Sequence, residues 1–309
     1  MSRQARDRGL AALALGAVCA LVPGLALGQL IDGDLQKRAN GVIALMGYMQ
    51  TPDVTTGSLG IANDATGNPD FRMTTLGGGF TSKGSPLYLE GTLGYARYDP
   101  TFAAGNGQVS VAANWDAYSA TGGIGWDFPL ARGLVLRPVF NLSYGRVESN
   151  VSASQTGTGE EIEFLRDGRL DTYGLGGSLM LDYERYRPEG EIDVELRYTN
   201  IYLQSFGGSS AAVKGSADAQ SVSLWSRWRA PTGITMLERP LRYVLEFAHT
   251  TFLGDLDGVL GFNDLNSFGA GLELDSSARD VAVTRTRLMA RYKVGEHVTG
   301  WSVGLAVSF

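Results

Sequence analysis

The last ten residues constrain the fold more than any other stretch. From Gly300 to Phe309 the side chains alternate without a break. Trp301, Val303, Leu305, Val307 and Phe309 fall on one face, and Ser302, Gly304, Ala306 and Ser308 on the other. A period of two is that of a β-strand and would scatter these residues around a helix. The pattern recurs upstream. Ile192, Val194, Leu196 and Tyr198 oppose Glu191, Asp193, Glu195 and Arg197, and Leu241, Tyr243, Leu245 and Phe247 oppose Arg242, Val244, Glu246 and Ala248. Twelve segments are predicted: 41–51, 71–81, 86–98, 115–128, 133–148, 168–185, 189–206, 217–230, 240–254, 265–277, 281–294 and 297–309. In the first of them Val42 to Met46 are consecutive apolar residues and fit a helix almost as well.

Charged residues make up only 19% of the 309, below the roughly 25% usual for soluble domains. An apolar fraction of 44% excludes disorder. An acidic balance of −6 with no Lys/Arg cluster excludes a nucleic-acid partner. Residues 1–28 read as a secretory leader: Arg3, Arg6 and Arg8 precede an apolar stretch that ends on the small residues Ala26 and Gly28. Cleavage is expected before Gln29. The sole cysteine, Cys19, lies inside that leader, and Val18 before it does not fit a lipoprotein site, so the exported chain is expected to fold without disulfides. After Gln29 no apolar run is long enough for a membrane helix.

The connections predict an orientation. Those after even-numbered segments are tight, as in Ser82-Lys83-Gly84-Ser85, Leu130-Ala131-Arg132 and Tyr186-Arg187-Pro188, with a longer exception near Pro231–Pro240. Those after odd-numbered segments, 52–70, 99–114, 149–167, 207–216 and 255–264, are long and rich in Gly, Ser, Asn and Asp, with the last, Gly295-Glu296, short. Membrane barrels have short periplasmic turns and longer external loops, which puts both ends of the twelve segments in the periplasm. Aromatics then form two rings. Phe80, Trp126, Phe128, Tyr183, Trp228, Tyr243 and Phe309 mark the inner rim, and Tyr95, Tyr118, Tyr144, Tyr173, Tyr198, Tyr202, Phe268, Tyr292 and Trp301 the outer. Hydrocarbon cannot satisfy backbone N–H and C=O groups, so only an edgeless sheet survives there. Such a wall needs no hydrophobic centre.

Ser302-x-Gly304-x-x-Val307-x-Phe309 resembles the C-terminal assembly signal of Gram-negative outer-membrane barrels, with Val307 where an aromatic is usual. The strand count, the chain length and the short leading segment together resemble the translocator barrel of autotransporters. The resemblance implies an all-β fold: a transmembrane antiparallel up-and-down barrel of about twelve strands over 41–309, with residues 29–40 as a helix or plug in the pore. It also implies a place in the outer membrane among lipids and lipopolysaccharide, assembly by the barrel-assembly machinery through the last strand, and a monomer. No passenger domain is read between Gly28 and the barrel, so the resemblance is to a solitary form with a structural or translocation role. A narrow porin-like channel is the alternative, and an adhesin using loops 52–70 and 149–167 a third reading.

Strand parity sends a charged set toward the lumen. It comprises Glu191, Asp193, Glu195 and Arg197, then Arg227 and Arg229, then Arg242 and Glu246, then Glu273 and Asp275, and finally Arg285, Arg287, Arg291 and Lys293. Opposite signs on neighbouring strands can brace a wall or set a field across a pore. No catalytic constellation is read around His249 or His297, and no zinc spacing or nucleotide loop occurs. Asp255-Leu256-Asp257-Gly258 carries part of a calcium-loop pattern without its later ligands and reads as an acidic external loop. No cofactor and no metal is expected.

Overall fold

The computed structural model describes residue 43 and residues 46–51, 57–62, 71–98, 101–104, 109–112, 114–150, 168–209, 214–258, 262–278, 283–296 and 298–308. The leader, residues 29–40, His297 and Phe309 lie outside them, as do most of loops 52–70 and 149–167. The strands are β1 (Gly57–Ala62), β2 (Phe71–Thr81), β3 (Leu87–Tyr98), β4 (Thr101–Ala104), β5 (Val109–Ala112), β6 (Asn114–Trp126), β7 (Phe128–Ala131), β8 (Leu134–Asn150), β9 (Arg169–Arg187), β10 (Gly190–Phe206), β11 (Ser216–Met236), β12 (Arg239–Gly254), β13 (Asp264–Asp275), β14 (Arg285–Gly295) and β15 (Val298–Ser308).

Twelve of these strands form one antiparallel ring. β3 pairs with β6, β6 with β8, and β8 through β15 follow in sequence order. The ring closes where β1 lies between β2 and β15, with Ser58 opposite Thr74 and Val303. β7 prolongs the β6–β8 hairpin, and β4 with β5 makes a small separate hairpin within the connection read as loop 99–114. With no edge left open, the backbone groups of the ring are satisfied strand to strand.

The side chains are distributed inside out. Leu76, Leu93, Ile124, Phe140, Leu179, Leu196, Leu245, Leu288, Val303 and Leu305 are exposed on the outer face, while Glu191, Arg197, Arg229, Glu246, Glu273 and Arg291 are buried. Aromatics frame this surface, including Phe80, Trp126, Trp228 and Tyr243 toward the short turns and Tyr95, Tyr118, Tyr198, Tyr202 and Trp301 toward the long loops. Tyr95 and Tyr118 stack at 5.2 Å, and Tyr292 and Trp301 at 4.9 Å.

Three expectations are corrected. Segment 41–51 is not the first wall strand: residues 46–50 are helical, and the wall begins instead at Gly57–Ala62, within the stretch read as a loop. The centre is not uniformly polar, because Ile43, Met46 and Met49 pack into an apolar cluster with Val147, Leu170, Ile201, Leu203, Phe252 and Leu265. The connection near Pro231–Pro240 is not a long loop. β11 runs on to Met236 past an irregularity between Pro231 and Thr235, and Leu237 and Glu238 alone make the turn.

Candidate functional site: a divided lumen

Where the helix sits follows from what it touches. Its partners lie between the middle and the long-loop ends of their strands: Ser119 and Thr121 of β6, Ser143 and Gly145 of β8, Thr172 of β9, Leu203 of β10 and Ala219 of β11. The last carbonyls of a helix have no partner within it. Here the wall supplies hydroxyls: Ser119 donates to the Met49 carbonyl at 3.3 Å and Thr121 to the Gln50 carbonyl at 2.7 Å. The Gln50 amide spans two strands, donating to Thr172 at 2.9 Å and accepting from Ser143 at 2.5 Å. Its buried polar atoms are thereby answered, as a dry site requires. Gly145 lets the helix approach, since a Cβ there would meet Met46 and Gln50.

The outer loop joins the same packing. Leu256 and Phe262 are buried in the same cluster, and Tyr48 packs on Phe252 at 4.8 Å. The stretch read as an acidic external loop therefore turns one residue inward, while Asp255 caps the backbone N–H of Asp218 at 2.8 Å.

The other half of the lumen is charged. All fourteen charged residues assigned to the lumen from parity are buried or half-buried on the inner face. Glu191 accepts from Arg242 at 2.7 Å and Arg285 at 2.6 Å, and lies 3.0 Å from Arg229. Asp193 holds Arg227 at 2.6 Å and Arg229 at 2.9 Å. Glu273 pairs with Arg287 at 2.5 Å, Glu246 with Arg291 at 2.7 Å, and Asp275 with Arg242 at 3.2 Å. Lys293 is buried on the same face.

Two pairs reach farthest around the ring, each spanning four strand steps. Arg197 of β10 grips Glu90 of β3 through two hydrogen bonds of 3.0 and 2.7 Å, four strand steps around the ring. Glu191 of β10 reaches Arg285 of β14, also four steps away in the other direction. Such links run across the lumen as chords, so β10 is a strut tied to both sides.

Sequence reading missed the other end of this lattice. Glu90 also accepts from Asn141 at 2.6 Å, and Arg137 bridges Asp127 and Asp182 at 2.5 and 3.1 Å while lying 4.1 Å over the Tyr88 ring. The same parity rule would have sent Tyr88, Glu90 and Arg137 inward. A cavity of about 370 Å³ opens at the short-turn end, lined by Tyr186, Glu191, Arg242 and Asp275 among others.

His249 faces outward near the outer rim. It contacts Asn266 at 2.9 Å and the Thr251 hydroxyl at 3.2 Å, but that hydroxyl donates to Asp264 at 2.5 Å. With its proton committed to a carboxylate, Thr251 is not poised toward the imidazole, and the four residues form an interfacial hydrogen-bond ladder. On the last strand Trp301, Val303 and Leu305 point outward, and Ser302 and Gly304 inward. The Val307 side chain is outside the described residues.

The family model described as the autotransporter beta-domain matches residues 33–163. No curated protein matches the sequence significantly. Among solved structures, the beta domain of the Bordetella autotransporter BrkA is similar at a TM-score of 0.50 and 15% identity, over 82% of this chain and 97% of that one. The translocator domain of NalP from Neisseria meningitidis aligns at 0.45 and 16%, over 92% and 98% of the two chains. The transport unit of AIDA-I from Escherichia coli aligns at 0.43 and 14%, over 88% and 99%.

Proposed function

We propose, from the premise that this chain is an autotransporter-type outer-membrane β-barrel, that it is a translocator held shut by its own helix. The observation that carries this reading is the fourfold hydrogen-bonded seat of Met49 and Gln50 on β6, β8 and β9. A segment so anchored occupies the pore while leaving the membrane wall independent of it. Its release would open a path through the barrel. The lumen charges serve first to brace the wall, and the last strand, with Ser302, Gly304, Val307 and Phe309, serves as the signal to the assembly machinery. Lipid and lipopolysaccharide are the surroundings that the apolar outer face and its aromatic rims fit.

Planar-bilayer recordings on the purified, refolded chain test this. The full chain is expected to pass almost no current, and a chain lacking residues 43–50 to give discrete channels. A full chain that conducts steadily, with currents unchanged by the deletion, would favour the porin-like alternative and defeat the plug.

A further inference from the structure

The β11–β12 hairpin projects an apolar tip at the short-turn rim, where Phe128 and Leu130 of the β6–β8 turn are exposed as well. Ser82-Lys83-Gly84-Ser85 is polar, whereas this tip carries Ile234, Met236 and Leu237, exposed to 58%, 48% and 74%. Its two turn residues both adopt left-handed backbone, Leu237 at φ 52° and Glu238 at φ 58°. A two-residue turn of this kind is ordinarily made by Asn-Gly, because a bulky side chain resists positive φ. A leucine here is unfavourable twice over in water, through its backbone and through its exposed apolar surface.

The surrounding geometry holds the tip in place and re-aims it. At the irregularity, Thr232 donates to the Leu241 carbonyl at 2.8 Å and accepts from the Ile234 N–H at 3.0 Å, while Gly233 sits at φ 76°. Such bulges bend a strand. Met236 lies opposite Arg239, on the outward parity of Leu241 and Tyr243, so the tip continues the lipid-facing side of the wall. At roughly 3.3 Å per residue and a tilt of about 40°, the turn lies roughly 10 Å beyond Tyr243, the nearer of the rim aromatics on this hairpin. A headgroup layer is about 5–7 Å thick on each side, so a modest bend brings the tip into it.

We propose that this hairpin is a foot that rests in the inner leaflet of the outer membrane, burying Ile234, Met236 and Leu237 in the headgroup layer. Continuity with the lipid-facing wall selects lipid as the occupant over a periplasmic protein. The inference needs only that the chain is an outer-membrane barrel, and not that its pore translocates anything.

The test places a polarity-sensitive fluorophore on Leu237→Cys and, separately, on Met236→Cys, in a full chain carrying Cys19→Ser. Ser85→Cys on the polar turn is the control. In vesicles of phosphatidylethanolamine and phosphatidylglycerol, nitroxide-bearing lipids are expected to quench the probe at 237 and 236 at least twofold more than at 85, with aqueous iodide giving the reverse order. Iodide quenching equal to that at 85 would overturn the proposal. Protection that develops only at high protein-to-lipid ratio would overturn it too, by pointing to a second copy of the chain. The Met236 probe guards against an effect of altering the strained turn itself.

Discussion

At the scale of single residues, the Arg197–Glu90 pair shows what a membrane barrel gains from buried charge. Both side chains are about 5% exposed, and their guanidinium and carboxylate meet through two parallel bonds. Desolvating such a pair can cost as much as its attraction returns, so its presence alone says little about stability. Removing one partner is different, because the other is left buried and uncompensated, at about 3–5 kcal/mol. Arg197→Ala is therefore expected to lower the unfolding free energy, measured by urea denaturation of the folded barrel, by about that amount. The exchange Glu90→Arg with Arg197→Glu should recover part of the loss, since Asn141 and Ser178 remain to answer either group. An Arg197→Ala midpoint within error of the parent would mean that water already fills the site and the chord carries no load.

At the scale of elements, the wall was largely legible and the plug was not. β8 to β15 could be read because large residues alternate with polar ones over ten or more positions, a pattern that only a two-faced strand explains. β1, in contrast, is Gly-Ser-Leu-Gly-Ile-Ala, six residues whose small side chains carry little amphipathic signal. The helix reads almost equally as a strand because Val42 to Met46 are all apolar, which suits either a buried strand or a helix enclosed on every side. What fixes it as a helix is tertiary: hydroxyls from β6 for its terminal carbonyls, and Gly145 for its side chains. Sequence periodicity cannot show a partner that arrives from 70 to 122 residues away. The dependence on Gly145 is testable. Gly145→Val should push against Met46 and Gln50, unseat the helix and raise single-channel activity, while circular dichroism stays that of the parent barrel. A silent pore in a folded Gly145→Val protein would show that the helix can shift without letting ions by.

At the scale of the whole molecule, two barriers lie in series along one axis. Toward the long loops the lumen is closed by apolar packing of Met46, Met49, Leu256 and Phe262. Toward the short turns it is crossed by Arg197–Glu90 and Glu191–Arg285, which join opposite parts of the ring through β10. The two use different physics, burial in one and charge pairing in the other, so removing one leaves the other intact. A chain without residues 43–50 is thus expected to conduct only weakly, because the chords still narrow the path. Adding Glu90→Gln, Arg197→Gln, Glu191→Gln and Arg285→Gln to that deletion keeps hydrogen-bonding side chains in place while removing the attraction that draws the strut inward. Single-channel conductance in the combined variant should rise severalfold over the deletion alone. The four substitutions by themselves, with the helix retained, should leave the pore closed. If the deletion alone already reaches the conductance of the combined variant, the charged half is a lining and not a barrier. If the four substitutions alone open the pore, the helix is not the outer seal. Either result is read on protein whose β-sheet circular dichroism matches the parent, since ring closure itself is made by backbone pairing between β1 and β15.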